Sequence, residues 1–108
     1  MGAGRGPVRV VIRGREWEIH RVEDVAAEWQ SYRGEPELGP AYHDAHGVTI
    51  RRHAVILLEE EPDGVEDLDT TVHELLHAYW PEMHENAVRP AAAMLARALW
   101  ALGWRRSG

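Results

Sequence analysis

Two histidines four residues apart, His73 and His77, bracket a glutamate in the run His73-Glu74-Leu75-Leu76-His77. On an α-helix, residues i and i+4 stand one above the other, about 40° apart around the axis at roughly 100° per residue. Both imidazoles can then reach one cation while Glu74, on the flank of that face, stays off it. The chemistry this permits is metal-assisted hydrolysis. Neutral imidazole nitrogens ligate zinc, zinc acidifies a coordinated water, and a carboxylate that is not itself a ligand takes the proton. The chain has no cysteine, so a metal here must be held by His, Asp or Glu.

A composition this rich in His and Glu yields the pattern by accident in about one such chain in twenty, treating positions as independent. The surroundings therefore matter. Asp67, Asp69, Thr70 and Thr71 offer N-caps ahead of the motif, and Val72, Leu75, Leu76, Ala78 and Tyr79 fill the rest of the helix surface with apolar groups. A solvated helix would carry charge there, so the pattern predicts a buried helix whose polar strip faces something specific. Trp80-Pro81 ends it, because the residue before proline is pushed out of the α region. A competing reading makes Thr71 and Glu74 a capping box, with Glu74 spent on the cap amide and no base left over. That reading needs separate partners for two co-facial buried histidines.

A catalytic zinc takes three protein ligands and keeps one position open. Beyond the Trp80-Pro81 turn, a second helical pattern runs from about Glu82 to Leu102, with Val88, Ala91, Ala92, Leu95, Leu99 and Leu102 as its apolar stripe. Pro90 interrupts it, either as a kink or as the first residue of a separate helix. Folding back against the motif helix would bring Glu82, His84 and Glu85 near the histidines. Glu85 extends the stripe seven residues ahead of Ala92, and His84 does nearly as well four ahead of Val88, so helical spacing does not separate them. Glu85 is favoured as the third ligand, with His84 and Glu82 as alternatives.

The elements that must position this helix are legible upstream. Val8 to Arg13 and Glu16 to Arg21 alternate as strands around Gly14-Arg15, a two-residue turn of the Gly-X kind, with Val8, Val10 and Ile12 sharing one face of the first strand and Trp17 with Ile19 continuing the second. Arg9, Arg13, Arg15 and Arg21 read as a solvated strand face. Val22 to Tyr32 has helical spacing, and Gly34 to Pro40 is a loop. Val48 to Leu58 forms two short strands or one bent at Arg51-Arg52-His53, and Pro62-Asp63-Gly64 turns the chain into the motif helix. The fold class expected is α+β: an N-terminal hairpin and a mixed or antiparallel sheet, then the motif helix with a C-terminal helix packed against it.

At 108 residues the chain is expected to form one domain, residues 1–108, with residues 1–7 flexible. It has no signal-like segment and no run long enough to span a membrane, which predicts a cytoplasmic protein without a membrane partner. A formal charge of −6 argues against non-specific nucleic-acid binding. All 12 cationic side chains are Arg and Phe is absent, the signature of a GC-rich bacterial or phage genome. The five Trp are scattered and are expected to supply the core's aromatic bulk. Tyr79 is also expected in the core. His20 and His53 are expected to face solvent. Tyr42, His43 and His46 are candidates to stabilise an oxyanion, and His43-x-x-His46 is a weaker pattern for a second metal.

His73-Glu74-Leu75-Leu76-His77-Ala78, followed by Glu85-Asn86-Ala87-Val88 and an Ala/Leu-rich helix, resembles the minimal zincin metallopeptidases, in particular ImmA/IrrE-like proteins and related small phage and prophage proteins. The resemblance covers about Ile50 to Leu102. It departs from the family in the very short segment between motif and third ligand, in Pro90, and in lacking a helix-turn-helix partner domain. The resemblance implies a gluzincin-like site: His73, His77 and Glu85 on Zn2+, Glu74 as general base, and a peptide or protein substrate paired with an edge strand supplied by Val48 to Leu58. Two other function classes are a non-catalytic zinc-binding phage or prophage interaction protein with the same fold, and a metal-free helical interaction protein.

Overall fold

The computed structural model describes residues 6–33, 46–60 and 64–106. Within them the chain is α+β, with four strands in one mixed sheet and three α-helices. Strand β1 (Val8–Ile12) pairs antiparallel with β2 (Arg15–Val22), placing Val10 opposite Trp17 and Val8 opposite Ile19. The hairpin turn is Arg13-Gly14, one residue earlier than the Gly14-Arg15 expected. Both residues have positive φ, 50° and 81°, a pair of left-handed residues whose twist suits a tight hairpin.

Helix α1 (Val25–Arg33) starts three residues later than its apolar spacing suggested, because Val22 completes β2 and Asp24 caps the helix by accepting from the Ala27 amide at 3.1 Å. Strand β3 (Gly47–Ile50), a 3-10 turn at Arg51–His53 and strand β4 (Val55–Glu59) follow, so the bend expected at Arg51-Arg52-His53 separates two antiparallel strands. The sheet order is β1-β2-β4-β3, with β2 and β4 parallel. Strand β4 is therefore central. Its run Val55-Ile56-Leu57-Leu58 is apolar at every position because both of its faces are covered.

Val55 and Leu57 join Val25, Trp29, Val48 and Ile50 in the core beneath α1. Ile56 and Leu58 join Trp17, Ala54 and Ala78 on the opposite face, beneath helix α2 (Val65–Tyr79). Each Val, Leu or Ile side chain buried there contributes about 1.5–3 kcal/mol. Helix α2 begins earlier than expected, after Gly64 at φ 97°, so Asp67, Asp69, Thr70 and Thr71 lie inside it and cap nothing. Thr71 donates to the Asp67 carbonyl at 2.8 Å, which excludes the Thr71–Glu74 capping box.

Helix α3 (Glu85–Ala101) runs through Pro90 as one element, with His84 as N-cap. Its buried line is Val88, Ala92 and Ala96, small residues that let α3 lie close against α2, whereas Leu95 and Leu102 of the expected stripe are 38% and 76% exposed. Tyr79 is exposed too, beneath the Arg13 guanidinium, instead of in the core. Of the five tryptophans only Trp17 and Trp29 are buried; Trp80 and Trp104 are exposed and Trp100 lies under Arg105. Arg21 leaves the solvated face expected of it. It grips the buried Asp67 carboxylate with two nitrogens, the second at 3.0 Å, and ties β2 to α2.

Candidate metal centre

The α2–α3 turn sets the site. Trp80-Pro81 stops α2, residues 81–84 reverse the chain, and the His84 side chain accepts from the Asn86 amide at 3.0 Å to start α3. His84 is occupied as a cap and Glu82 is exposed, while Glu85, the first residue of α3, points back at α2. Its carboxylate lies 2.9 Å (Oε1) from His77 Nε2 and 3.2 Å (Oε2) from His73 Nε2, and the two Nε2 atoms are 3.1 Å apart. Among the described residues this is the group of three whose donor atoms could hold a metal ion.

The donor set fits a zinc-like dication. Two imidazole nitrogens and one carboxylate oxygen are the ligand types it takes, and tetrahedral donors about 2.0–2.1 Å from zinc stand about 3.3–3.4 Å from each other. The observed separations are shorter by only a few tenths of an ångström. Lone pairs converging this closely repel one another unless a proton or a cation stands among them. Arg89, one turn along α3, donates from Nε to Glu85 Oε2 at 3.3 Å and helps to orient the carboxylate.

Glu74 lies beside this group and outside it. It is 8% exposed, and its Oε1 accepts from Thr49 Oγ1 at 2.7 Å. Burial pushes the Glu74 carboxyl above the usual carboxylate range; the Thr49 hydrogen bond and the two imidazoles pull it back, and Glu85 pushes it further up. Strand β3 lies directly against α2 here. A Cβ at Gly47 would stand 2.7 Å from Thr70 Cγ2 and 3.1 Å from Glu74 Cγ, so only glycine allows this approach.

An open groove of about 940 Å3 runs over the centre, lined by Gly47, Val48 and Thr49 of β3, the His73–His77 face of α2, and Glu85 and Arg89 of α3. His46, at its rim, is engaged with Glu59 Oε1 at 2.9 Å. Tyr42 and His43, the other oxyanion candidates, lie outside the described residues, as do residues 1–5, Gly34 to Pro40, and Pro62 with Asp63. His53 is exposed, as expected, and the half-buried His20 is bonded to Glu18 at 2.9 Å.

Thr49, Gly47, Arg51 and Arg89 were not among the site residues expected from sequence. Thr49 had a readable signal: it is the one polar residue between Val48 and Ile50, and period-2 alternation turns it to the face opposite theirs. Arg51 had none, since its partners are the carbonyls of His77 and Ala78, which lie 26 and 27 residues along the chain.

No family model matches the chain, and no curated protein or solved structure gives a significant match. Among the described residues no helix is long and apolar enough to cross a membrane.

Proposed function

We propose that this chain is a zinc-dependent metallopeptidase of the gluzincin-like kind, with His73, His77 and Glu85 holding the metal and Glu74 as general base. One observation carries the reading. Two imidazole nitrogens and a carboxylate converge within 3.2 Å of one another, and a second carboxylate, buried and separately held by Thr49, stands beside them. A structural ion pair would need only the first three groups.

Bound zinc would polarise a scissile carbonyl and acidify water, which is the chemistry the three ligands are suited to support. The chain's own residues account for the rest. Thr49 engages Oε1 of Glu74, which leaves Oε2 to accept a proton from water. Placed beside the three ligands, Glu74 would then pass that proton to the leaving amine. Arg89 orients the Glu85 carboxylate, and the buried setting of Glu74 limits competition from bulk water. Among the described residues no strand pairs with the far edge of β3, and β3 lines the groove, which supports an extended peptide or protein as substrate, bound by backbone pairing.

The test is zinc content by elemental analysis together with peptide hydrolysis by the wild type and Glu74→Gln. The variant should keep zinc and fold and lose about 100-fold or more of the hydrolysis rate. Equal activity would refute Glu74 as base. Zinc binding with no hydrolysis by the wild type would favour the non-catalytic zinc-binding module, and failure to bind any metal would leave only a metal-free interaction protein.

A further inference from the structure

We infer that Thr49, on the edge strand β3, is the positioning residue of the Glu74 base, aiming its carboxylate from outside the helix that carries it; the inference rests on the metallopeptidase reading. A glutamate on a helix has three side-chain torsions, and the carboxyl end turns freely unless something holds it. Here it is held at two points, both on β3. Gly47 packs so closely that its missing Cβ would lie 3.1 Å from Glu74 Cγ, which confines the middle of the side chain. The Thr49 hydroxyl then fixes the end. It lies 2.7 Å from Glu74 Oε1 and 3.0 Å from the Glu74 carbonyl oxygen, and its single hydrogen serves the shorter, charged acceptor better.

The arrangement links two tasks in one strand. Strand β3 lines the groove with Gly47, Val48 and Thr49 and presents the edge along which an extended chain would pair. Because the same strand aims Glu74, a chain aligned on β3 is also aligned with the base. The Thr49 hydroxyl is engaged with Glu74 and with none of the three metal-site side chains. It acts through Glu74.

The experiment compares zinc-loaded wild type, Thr49→Val and Thr49→Ser. Valine keeps the shape and removes the donor, and serine keeps the donor. Expected are equal zinc contents and KM values, a kcat lowered about 10- to 100-fold in Thr49→Val, the scale of a base misplaced by an ångström, and recovery to within about threefold in Thr49→Ser. Loss confined to KM, or a serine variant as impaired as the valine one, would overturn the inference. If the valine protein does not fold, Thr49→Ala carries the same comparison.

Crystal structures of the zinc-loaded wild type and donor-less variant separate this inference from the reading beneath it. Should the wild type hydrolyse nothing, the metallopeptidase reading falls. The position of the Glu74 carboxylate still decides the role of Thr49: displaced without the hydroxyl supports positioning, and unchanged refutes it.

Discussion

Arg51 holds the end of the helix on which His77 sits: its guanidinium donates to the His77 carbonyl at 2.6 Å and to that of Ala78 at 3.0 Å. Both acceptors belong to the last turn of α2, where carbonyls lack helical partners and a cation is favoured by the dipole. The same guanidinium lies 5.5 Å from the Trp17 ring centroid, so it joins the β3–β4 turn, the core and the motif helix. Arg51→Met should cost about 1–3 kcal/mol of stability, the scale of charged hydrogen bonds. It should also weaken metal binding about 10-fold or more by loosening the backbone of His77. Denaturant unfolding and competition titration with a chelator measure the two separately. An unchanged affinity would make Arg51 a stability clamp only.

Glu85 and His84 are adjacent in sequence and make opposite contributions. Glu85 spans both histidines, while His84 accepts from the Asn86 amide and starts α3. Glu85→Ala should therefore weaken zinc binding by more than about 100-fold, beyond what outer-shell changes usually cost. His84→Ala should leave affinity nearly intact and lower stability by about 1 kcal/mol, as the loss of a cap does. The reverse order of affinities, read by the same titration, would move the third ligand to His84.

How far the site could be read from sequence depended on the range of each contact. His73, Glu74 and His77 are joined by helical periodicity, a local rule, and were legible. Glu85 was legible as a candidate because one tight turn brings α3 back, but its preference over His84 needed the cap geometry at Asn86. The α+β class, the hairpin and the bend at Arg51-Arg52-His53 followed from alternation and turn chemistry, with the hairpin turn displaced by one residue. The stripe expected on α3 holds at Val88 and Ala92, which are buried, and fails at Leu95 and Leu102; close packing against α2 buries the smaller Ala96 instead. Arg21 and Tyr79 were misplaced for the same kind of reason: their surroundings are set by partners 46 and 66 residues away, Asp67 and Arg13.

Asp67 is buried, and the Arg21 guanidinium is its principal partner, with Arg106 at 3.9 Å. Removing the cation strands the carboxylate in the interior, which is the costly way to break such a pair. Arg21→Met should destabilise by about 3 kcal/mol, whereas the double change Arg21→Met with Asp67→Leu should recover much of the loss because no charge is left unpaired. Urea unfolding of the two singles and the double gives the coupling directly. Strict additivity would mean that the pair does not hold β2 to α2.

Gly47 makes a sharper prediction, since the space for a side chain is already filled. Gly47→Ala drives a methyl to 2.7 Å from Thr70 Cγ2 and 3.1 Å from Glu74 Cγ and Leu58 Cδ2. Strand and helix must separate, at about 1–3 kcal/mol, the usual cost of overpacking. Because His73 and His77 are not among the atoms displaced directly, zinc binding should survive better than hydrolysis. Thermal unfolding, zinc content and activity of the purified variant test this. A variant with full activity would show that the approach of β3 to α2 has no bearing on the base.

Glu74 also predicts a pH dependence for the metal-free protein. Burial raises its carboxyl, so the folded state prefers the protonated form more than the unfolded state does. The stabilisation this group contributes is full below the ordinary glutamate pKa of about 4.3 and is lost as pH rises through the folded value. Glutamine at this position keeps the size and an acceptor for Thr49 but cannot ionise. With chelator present, Glu74→Gln should therefore be more stable than the wild type at pH ~7, and the gap should close as pH falls toward ~4. Zinc reverses the preference, because a dication among His73, His77 and Glu85 favours an ionised neighbour, so saturating metal should shrink the gap at neutral pH. Denaturant unfolding of both proteins across that range, with and without zinc, provides the comparison. A metal-free gap that widens toward acid would mean that the folded chain favours the ionised carboxylate, and the buried-base account of Glu74 would fail.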